Sequence, residues 1–126
     1  MNVKTDTKEK FHAITVNDAV LSATMTAELG ECLLPILQNE VKNVVLILKN
    51  VTEMETVAAE KLVYIQQKFY ENSASFVICE LQQKVEDFLD SNNLLELMNV
   101  TPTESEAWDI VQMEEIEREL MDDGDI

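Results

Sequence analysis

Apolar residues gather into short blocks along this chain, and the spacing of the blocks predicts strands that alternate with helices. Residues 43–48 and 75–79 are two runs of almost wholly apolar side chains. Such runs are typical of buried strands in a parallel sheet that helices cover on both faces. Between them, a helix is predicted from residue 55 or 56 to residue 71, with apolar side chains at helical spacing. Two such strands joined through a helix predict a right-handed parallel crossover.

Further strands and helices flank this central unit. Residues 1–8 are polar and are expected to fray. A strand is predicted at 10–16, and residues 19–23 are predicted to return antiparallel to it. A helix over 82–90 and a small edge strand at 99–101 follow.

The first and last helices carry their own signals. Thr26 is expected to cap the first helix. Pro35 is expected to kink or interrupt it, because proline removes a backbone hydrogen bond. Thr103 or Ser105 is expected to cap the last helix. The side chains predicted on the buried face of that helix are Trp108, Val111, Ile116 and Leu120.

Size and composition predict one domain. The chain has 126 residues and is 46% hydrophobic, enough for a single core. The domain is predicted over residues 1–121, followed by an acidic flexible tail at 122–126. The amino terminus lacks a secretory pattern. Cys32 and Cys79 lie in apolar patterns without a CxxC pair, which predicts buried free thiols and a reduced, cytoplasmic setting.

The charge of the chain excludes some partners. The net charge is −16, and residues 104–125 hold ten acids against one base, Arg118. Nucleic acid and anionic lipid both bind through Lys and Arg, so neither is expected as a direct partner. An acidic, solvated helix and tail explain this charge, and a basic partner surface is the alternative.

Residue patterns for catalysis are missing from the sequence. The chain has one histidine, His12, and no paired cysteines, so a zinc site lacks ligands. Gly30 and Gly124 lie outside any strand-to-helix turn, which excludes a phosphate-binding glycine loop or a dinucleotide fingerprint. We therefore expect no enzyme activity, no metal and no cofactor.

Thr56 stands where a parallel α/β fold tends to meet its ligands, at the start of a helix that follows a buried strand. One interpretation is a helix cap, for which Thr52–Glu55 offers a rival capping box. The other is a phosphorylation site, because the helix start offers unpaired N–H groups and a favourable dipole. Against that, Glu55 would repel an added phosphate.

Three segments together resemble the STAS domain family, which includes bacterial anti-anti-sigma factors. Residues 21–29 are similar to the family's strand-to-helix segment with its A-E-L helix start. Residues 44–52 resemble its V-L-D-L-S-x-V strand and turn, and residues 92–97 resemble its x-G-L-x-x-L element. The resemblance covers residues 8–120. It implies an α/β sandwich, with a mixed, mostly parallel sheet of four to five strands and about four helices.

The resemblance also implies a site. In phosphorylated members the turn is D-S-S-G and its first serine is the kinase target; here the matching residues are Glu55–Ala58. Thr56 keeps the hydroxyl at the target position, while Val57 and Ala58 depart from the pattern, as does Lys49, where the family often has serine. The Cβ of Ala58 is expected to obstruct a partner's approach. The predicted partner-binding residues are Met54, Glu55, Thr56, Val57, Ala58 and Lys61.

Three functions follow as hypotheses. The first is a cytoplasmic regulatory module like the anti-anti-sigma factors, which binds a serine kinase of the anti-sigma type and is switched by Thr56 phosphorylation. The second is a degenerate, non-phosphorylated STAS scaffold within a transporter or stress-signalling complex. The third is a small-ligand or nucleotide pocket, or an unrecognised enzyme. No glycine-rich loop or metal cluster in the sequence supports it.

Overall fold

A five-stranded mixed sheet forms the centre of the protein in the computed structural model, which describes residues 2–124. The strands in chain order are β1 (Val3–Thr7), β2 (His12–Val16), β3 (Val20–Leu21), β4 (Val44–Ile47), β5 (Glu53–Met54), β6 (Phe76–Cys79) and β7 (Val100–Thr101). The sheet order is β1-β2-β4-β6-β7, and β3 pairs with β5 in a separate two-stranded ribbon. Among the strands that the structure describes, only β1 runs antiparallel to its neighbour.

Helices cover both faces of this sheet. They are α1 (Ala23–Leu33), α2 (Thr56–Glu71), α3 (Gln83–Ser91) and α4 (Glu104–Gly124), with short 3-10 helices at Leu34–Gln38 and Leu95–Leu97. The apolar sides of α1, α2 and α3 share one core with the sheet, and α4 packs on the opposite face. The predicted strand–helix–strand unit around α2 is therefore confirmed.

The strand β4 divides its side chains between the two cores because successive side chains on a strand point to opposite faces. Val44 and Leu46 enter the larger core, and Val45 and Ile47 enter the core beneath α4. All four are buried, which explains why the segment has no polar positions. Each stabilises the fold by roughly 1.5–3 kcal/mol of burial.

The strand β1 lies where a frayed terminus was expected, so that prediction is wrong. It pairs with β2 from Val3 opposite Val16 to Thr7 opposite His12. Its exposed Lys4 and Asp6 lie on an edge strand, where charged side chains discourage further pairing. The polarity that looked like disorder is thus the normal composition of a protected edge.

The predicted antiparallel return over 19–23 is also wrong. Within this range, only Val20 and Leu21 form a strand, and they pair parallel with Glu53 and Met54. Since β1 already occupies the free side of β2, the chain leaves the main sheet after Val16 and forms the β3–β5 ribbon instead.

The start of α1 and the proline after it decide the shape of that segment. Ser22, and not Thr26, caps α1, and its Oγ accepts a hydrogen bond from Met25 N–H at 3.3 Å. Thr26 is buried within the helix and donates to the Ala23 carbonyl at 2.9 Å. The helix ends at Leu33 and a 3-10 turn containing Pro35 follows, so the predicted interruption is confirmed.

The helix α4 docks through a narrow apolar contact. Its buried apolar side chains are Ala107 and Val111, and Thr103 caps it by accepting from Glu106 N–H at 3.2 Å. The predicted burial is right for Val111 and wrong for the other three side chains. Trp108, Ile116 and Leu120 are 39%, 56% and 65% exposed.

A polar network anchors the second half of α4 to the amino ends of β4 and β6. Arg118 Nη2 donates to Asn43 Oδ1 at 3.3 Å and to Ser75 Oγ at 3.0 Å. The buried Asn43 amide donates in turn to Glu115 at 2.7 Å and to the Lys10 carbonyl at 2.9 Å. After Val111, the side of α4 that faces the sheet is therefore polar. This explains why the apolar periodicity of α4 predicted the wrong buried face.

The two cysteines lie in different surroundings. Cys79 is buried in the core beneath α4, and burial raises the pKa of its thiol to about 12, so it stays protonated near neutral pH. Cys32 is exposed on α1, contrary to the buried position expected for it. The helix α4 extends to Gly124, while residues 125–126 lie outside the described residues. The proposed domain limit at residue 121 stays a prediction.

Candidate functional site

The turn between β5 and α2 lies beyond the carboxyl end of β4 and is fixed by the β3–β5 ribbon. The backbone N–H of Thr52 donates to the Ala19 carbonyl at 2.8 Å, and that of Glu55 donates to the Leu21 carbonyl at 3.0 Å. These bonds join the segment before α1 to the segment before α2. The two helices therefore start side by side at one end of the domain.

Glu55 links the two helix starts through its side chain. Its Oε1 accepts a hydrogen bond from the backbone N–H of Ala23, the first residue of α1, at 2.7 Å. A carboxylate at a helix amino terminus is stabilised by the unpaired N–H groups and by the helix dipole. Glu55 is also the residue that precedes α2, yet its side chain does not cap that helix.

Thr56 is the first residue of α2 and is exposed to solvent. The capping role expected for it is wrong, because Glu55 holds the cap position. The rival capping box is wrong as well, since the Thr52 hydroxyl donates to the Ala19 carbonyl at 3.1 Å. No side-chain hydrogen bond caps the start of α2, and the first N–H groups of a helix lack partners within the helix. Thr56 therefore presents its hydroxyl beside open donors.

The six predicted partner-binding residues separate into a surface group and a supporting group. Glu55, Thr56 and Val57 are exposed, with Val57 at 61%. Lys61 is half-buried, and its Nζ lies 4.5 Å from the centre of the Tyr64 ring. The supporting group, Met54 and Ala58, belongs to the core.

The burial of Ala58 bears on its departure from the family's glycine. Its side chain is fully buried, beside the equally buried Ala59 and Leu62. The Cβ of Ala58 therefore points into the protein, and the obstruction expected from it is wrong. The residue that does alter the outer surface of the turn is Val57.

Contacts around the turn include residues that the sequence did not single out. Lys84 of α3 forms an ion pair with Glu53 at 3.6 Å, and Gln82 donates to the Lys49 carbonyl at 2.8 Å. Val20 of the ribbon is 43% exposed. A shallow groove of about 240 Å³ runs between β5 and α3, lined by Thr52, Glu53, Met54, Lys84, Val85 and Phe88. No local sequence pattern marks these contacts because they join distant segments.

The one histidine has a structural role. Its Nε2 lies 2.9 Å from the Val41 carbonyl, and its Nδ1 lies 3.1 Å from the Thr7 hydroxyl. A carbonyl can only accept, so Nε2 of His12 donates to Val41, and in the neutral imidazole Nδ1 then accepts from the Thr7 hydroxyl. Among the described residues, no group of three or more His, Cys, Asp or Glu side chains could hold a metal ion.

The mixed sheet with helices on both faces is an α/β sandwich, and a family match is specific to it. The STAS domain model matches residues 2–107. This chain belongs to the STAS domain family. The fold predicted from the three sequence segments is thereby confirmed. No curated protein matches the chain by sequence.

Solved structures share this fold at low identity. A Thermotoga maritima protein assigned as an anti-sigma factor antagonist is 17% identical, with a TM-score of 0.73 over 87% of this chain and 94% of that one. The Bacillus cell fate determinant SpoIIAA in its phosphorylated form is 12% identical, with a TM-score of 0.63 over 87% of this chain and 99% of that one. SpoIIAA has also been solved unphosphorylated.

An anion transporter contains the same fold as one part of a larger chain. The murine anion transporter Slc26a9 is 10% identical, with a TM-score of 0.66 over 82% of this chain and 18% of that one. In the described part of the present chain, no helix combines the length and apolarity needed to span a membrane.

Proposed function

We propose that this protein is a cytoplasmic regulatory module that binds a protein partner through the turn at the start of α2. The surface consists of Glu55, Thr56, Val57 and Lys61, and the buried Met54 and Ala58 hold its backbone in place. The observation that carries the proposal is the position of Thr56: an exposed hydroxyl on the first residue of a helix that no side chain caps. We propose binding, without catalysis, as its mode of action.

The partner we propose is a serine kinase of the anti-sigma type, with Thr56 as its target. Support comes from the anti-sigma factor antagonists among the structural neighbours, one of which has been solved phosphorylated. A phosphate on Thr56 would lie beside the open N–H groups of α2, which favour an anion. The neighbouring Glu55 carboxylate faces the N–H of Ala23, so its charge is partly compensated.

Phosphorylation would act as a local switch. The phosphate would add almost two negative charges to the surface that the partner must cover. The buried residues beneath that surface, Met54 and Ala58, would stay unchanged. Release of the partner would then follow from repulsion and from the cost of desolvating the phosphate. The fold itself does not need to change.

The test uses purified kinase of this type, ATP and intact-mass measurement. We expect the parent protein to gain one phosphate, Thr56→Ala to gain none, and Thr52→Ala to behave like the parent. Thr52 is the matched control because it is an exposed threonine in the same turn. In a binding assay Thr56→Glu should lose the kinase, whereas Thr56→Ala should keep it. Phosphate on another residue, or unchanged binding by Thr56→Glu, would contradict the switch.

A second candidate is a STAS scaffold that takes no phosphate and forms a fixed part of a larger complex, such as a transporter or stress-signalling assembly. The bulky, exposed Val57, where phosphorylated members have serine, favours it, as does the fold's occurrence within a transporter. In that case Thr56→Ala and Thr56→Glu would both leave partner affinity unchanged. Loss of binding by Thr56→Glu alone separates the two candidates.

A further inference from the structure

An exposed apolar stripe runs along the outer side of α4. Met113, Ile116 and Leu120 are 53%, 56% and 65% exposed. Their spacing of three and four residues places them in one row on a helix. The buried contacts of α4 come from Ala107, Val111 and Arg118, which helical geometry places on the opposite side. We call the three exposed residues the α4 stripe.

The α4 stripe lies outside the part of the chain that defines the family. The STAS match ends at residue 107, whereas α4 continues to Gly124. The apolar side chains of this continuation are not needed for docking α4, because Ala107, Val111 and the Arg118 network supply that. An exposed row of large apolar side chains that the docking of α4 does not require is a candidate interaction surface.

Acidic side chains border the α4 stripe. Glu117 lies on one side of it and Glu119 on the other, and Glu106 and Asp109 continue the row toward the start of the helix. All four residues are exposed. The one base of the helix is Arg118, and its guanidinium points inward to Asn43 and Ser75. Over residues 113–120 the outer face of α4 is therefore apolar along its centre, with acidic residues on both sides and at its amino end.

We propose that the α4 stripe is a docking surface for a basic amphipathic helix. Such a helix would lay leucine-like side chains on Met113, Ile116 and Leu120 and place Lys or Arg beside Glu117 and Glu119. A second copy of this chain fits less well, because pairing two α4 stripes would bring acidic borders together in a protein of net charge −16. Charge complementarity selects the basic partner.

This surface is separate from the turn at Thr56. The turn lies beyond the carboxyl ends of the strands, whereas Arg118, in the middle of the stripe's span, contacts residues at the amino ends of β4 and β6. The stripe also lies on the helix that covers the opposite face of the sheet from α2. One partner at each surface is compatible with this geometry, and the proposal does not depend on the function assigned to Thr56.

The probe is a fluorescent helical peptide with leucines at helical spacing and lysines on both borders, studied by anisotropy with the full chain. A peptide of the same composition, scrambled to break the apolar row, is the matched control. The variants are Ile116→Gln with Leu120→Gln, which removes apolar contacts with a good helix former, and Glu117→Gln with Glu119→Gln, which removes border charge. Circular dichroism checks that each variant keeps its helices.

We expect the helical peptide to bind at least about tenfold more tightly than the scrambled one, a difference of one decade in Kd. The Ile116 and Leu120 double variant should lose that preference, and the Glu117 and Glu119 double variant should bind more weakly and with less dependence on salt. Equal binding of both peptides would mean general attraction between opposite charges and would overturn the proposal. So would the absence of binding, or a dimer of the parent that dissociates when Ile116 and Leu120 are replaced.

Discussion

The Glu55 carboxylate accepts a hydrogen bond from the backbone N–H of Ala23 at 2.7 Å, so a side chain at the start of α2 satisfies a backbone donor at the start of α1. Glu55→Ala should lower the free energy of unfolding by roughly 1 kcal/mol, because an N–H group at a helix start loses a charged acceptor. Glu55→Gln keeps an oxygen acceptor and should cost less. Urea unfolding measures both.

Glu60 provides the control for that change. It is an exposed glutamate on the same helix, and Glu60→Gln should leave the free energy of unfolding within about 0.5 kcal/mol of the parent. If Glu55→Ala were as mild as Glu60→Gln, the bond to Ala23 would contribute nothing to stability.

Ser22 and Thr56 both stand at helix starts, yet only one of them caps a helix. Ser22→Ala should cost about 1 kcal/mol, because Ser22 Oγ accepts from the N–H of Met25. Thr56→Ala should change stability by less than about 0.5 kcal/mol, because Glu55 holds the cap position of α2. Thermal or urea unfolding of the pair gives the comparison. A larger loss for Thr56→Ala than for Ser22→Ala would show that the hydroxyl of Thr56 is structural.

Asn43 joins three segments by hydrogen bonds at the amino ends of β4 and β6. Its Oδ1 accepts from the buried Ser75 N–H at 2.7 Å, and its Nδ2 donates to Glu115 at 2.7 Å. Asn43→Ala leaves the Ser75 N–H without a partner and should cost about 2–4 kcal/mol. Asn39→Ala, at an exposed position, should be close to neutral by urea unfolding. Equal stability of the two variants would contradict a structural role for the network.

Local sequence patterns predict much of the fold. The parts that they do not predict are those that bury little surface or that dock through polar contacts. The strand β4 was predictable because a strand that is buried on both faces needs an unbroken apolar run. The helix α2 was predictable because a helix that is buried on one side needs apolar residues at helical spacing. The strand β1 gave no such signal, since an edge strand carrying Lys4 and Asp6 buries little. The face of α4 was misassigned because Arg118 and Glu115 dock it through polar contacts.

The candidate site shows the same division. Thr56 was predictable because an apolar run, a turn and a helix start fix its position along the chain. The bond from Ala23 to Glu55 was not, because it joins residues 32 positions apart and neither residue type signals the other. Burial of Met54 and Ala58 likewise depends on how the ribbon and α2 sit on the core, which a turn motif alone does not specify.

Tyr70 predicts how stability changes at alkaline pH. Burial, reinforced by a hydrogen bond and the charge of Glu114, raises the pKa of its hydroxyl from 10.0 to about 12. The neutral form is thus favoured in the folded state, so the stabilisation is complete below pH 10 and is lost as pH rises toward about 12. Two pKa units correspond to about 2.7 kcal/mol. Because Tyr70 is 36% exposed, solvent screening reduces this to about 1 kcal/mol.

The variant Tyr70→Phe isolates that contribution. It lacks the hydrogen bonds from Tyr70 to Glu114 and from Asn99 to the Tyr70 hydroxyl, so it should be less stable than the parent near neutral pH. The difference in the free energy of unfolding between the parent and Tyr70→Phe should shrink between pH 10 and about 12, because the parent loses this stabilisation there. Urea unfolding at several pH values measures it. A gap that stays constant across this range would show that Tyr70 titrates alike in the folded and unfolded states.

The β3–β5 ribbon has a consequence for the order in which the domain assembles. It has only two residue pairs, and its contacts join positions 33 residues apart, so closing it costs chain entropy that few bonds offset. The turn at Thr56 should therefore be completed late in folding and open early in the native state. In hydrogen exchange, the amides of Thr52 and Glu55 should exchange faster than that of Leu46, and a bound partner should slow the first two alone. Slower exchange at Thr52 than at Leu46 would exclude such early opening, and the partner would then meet a surface already rigid before contact.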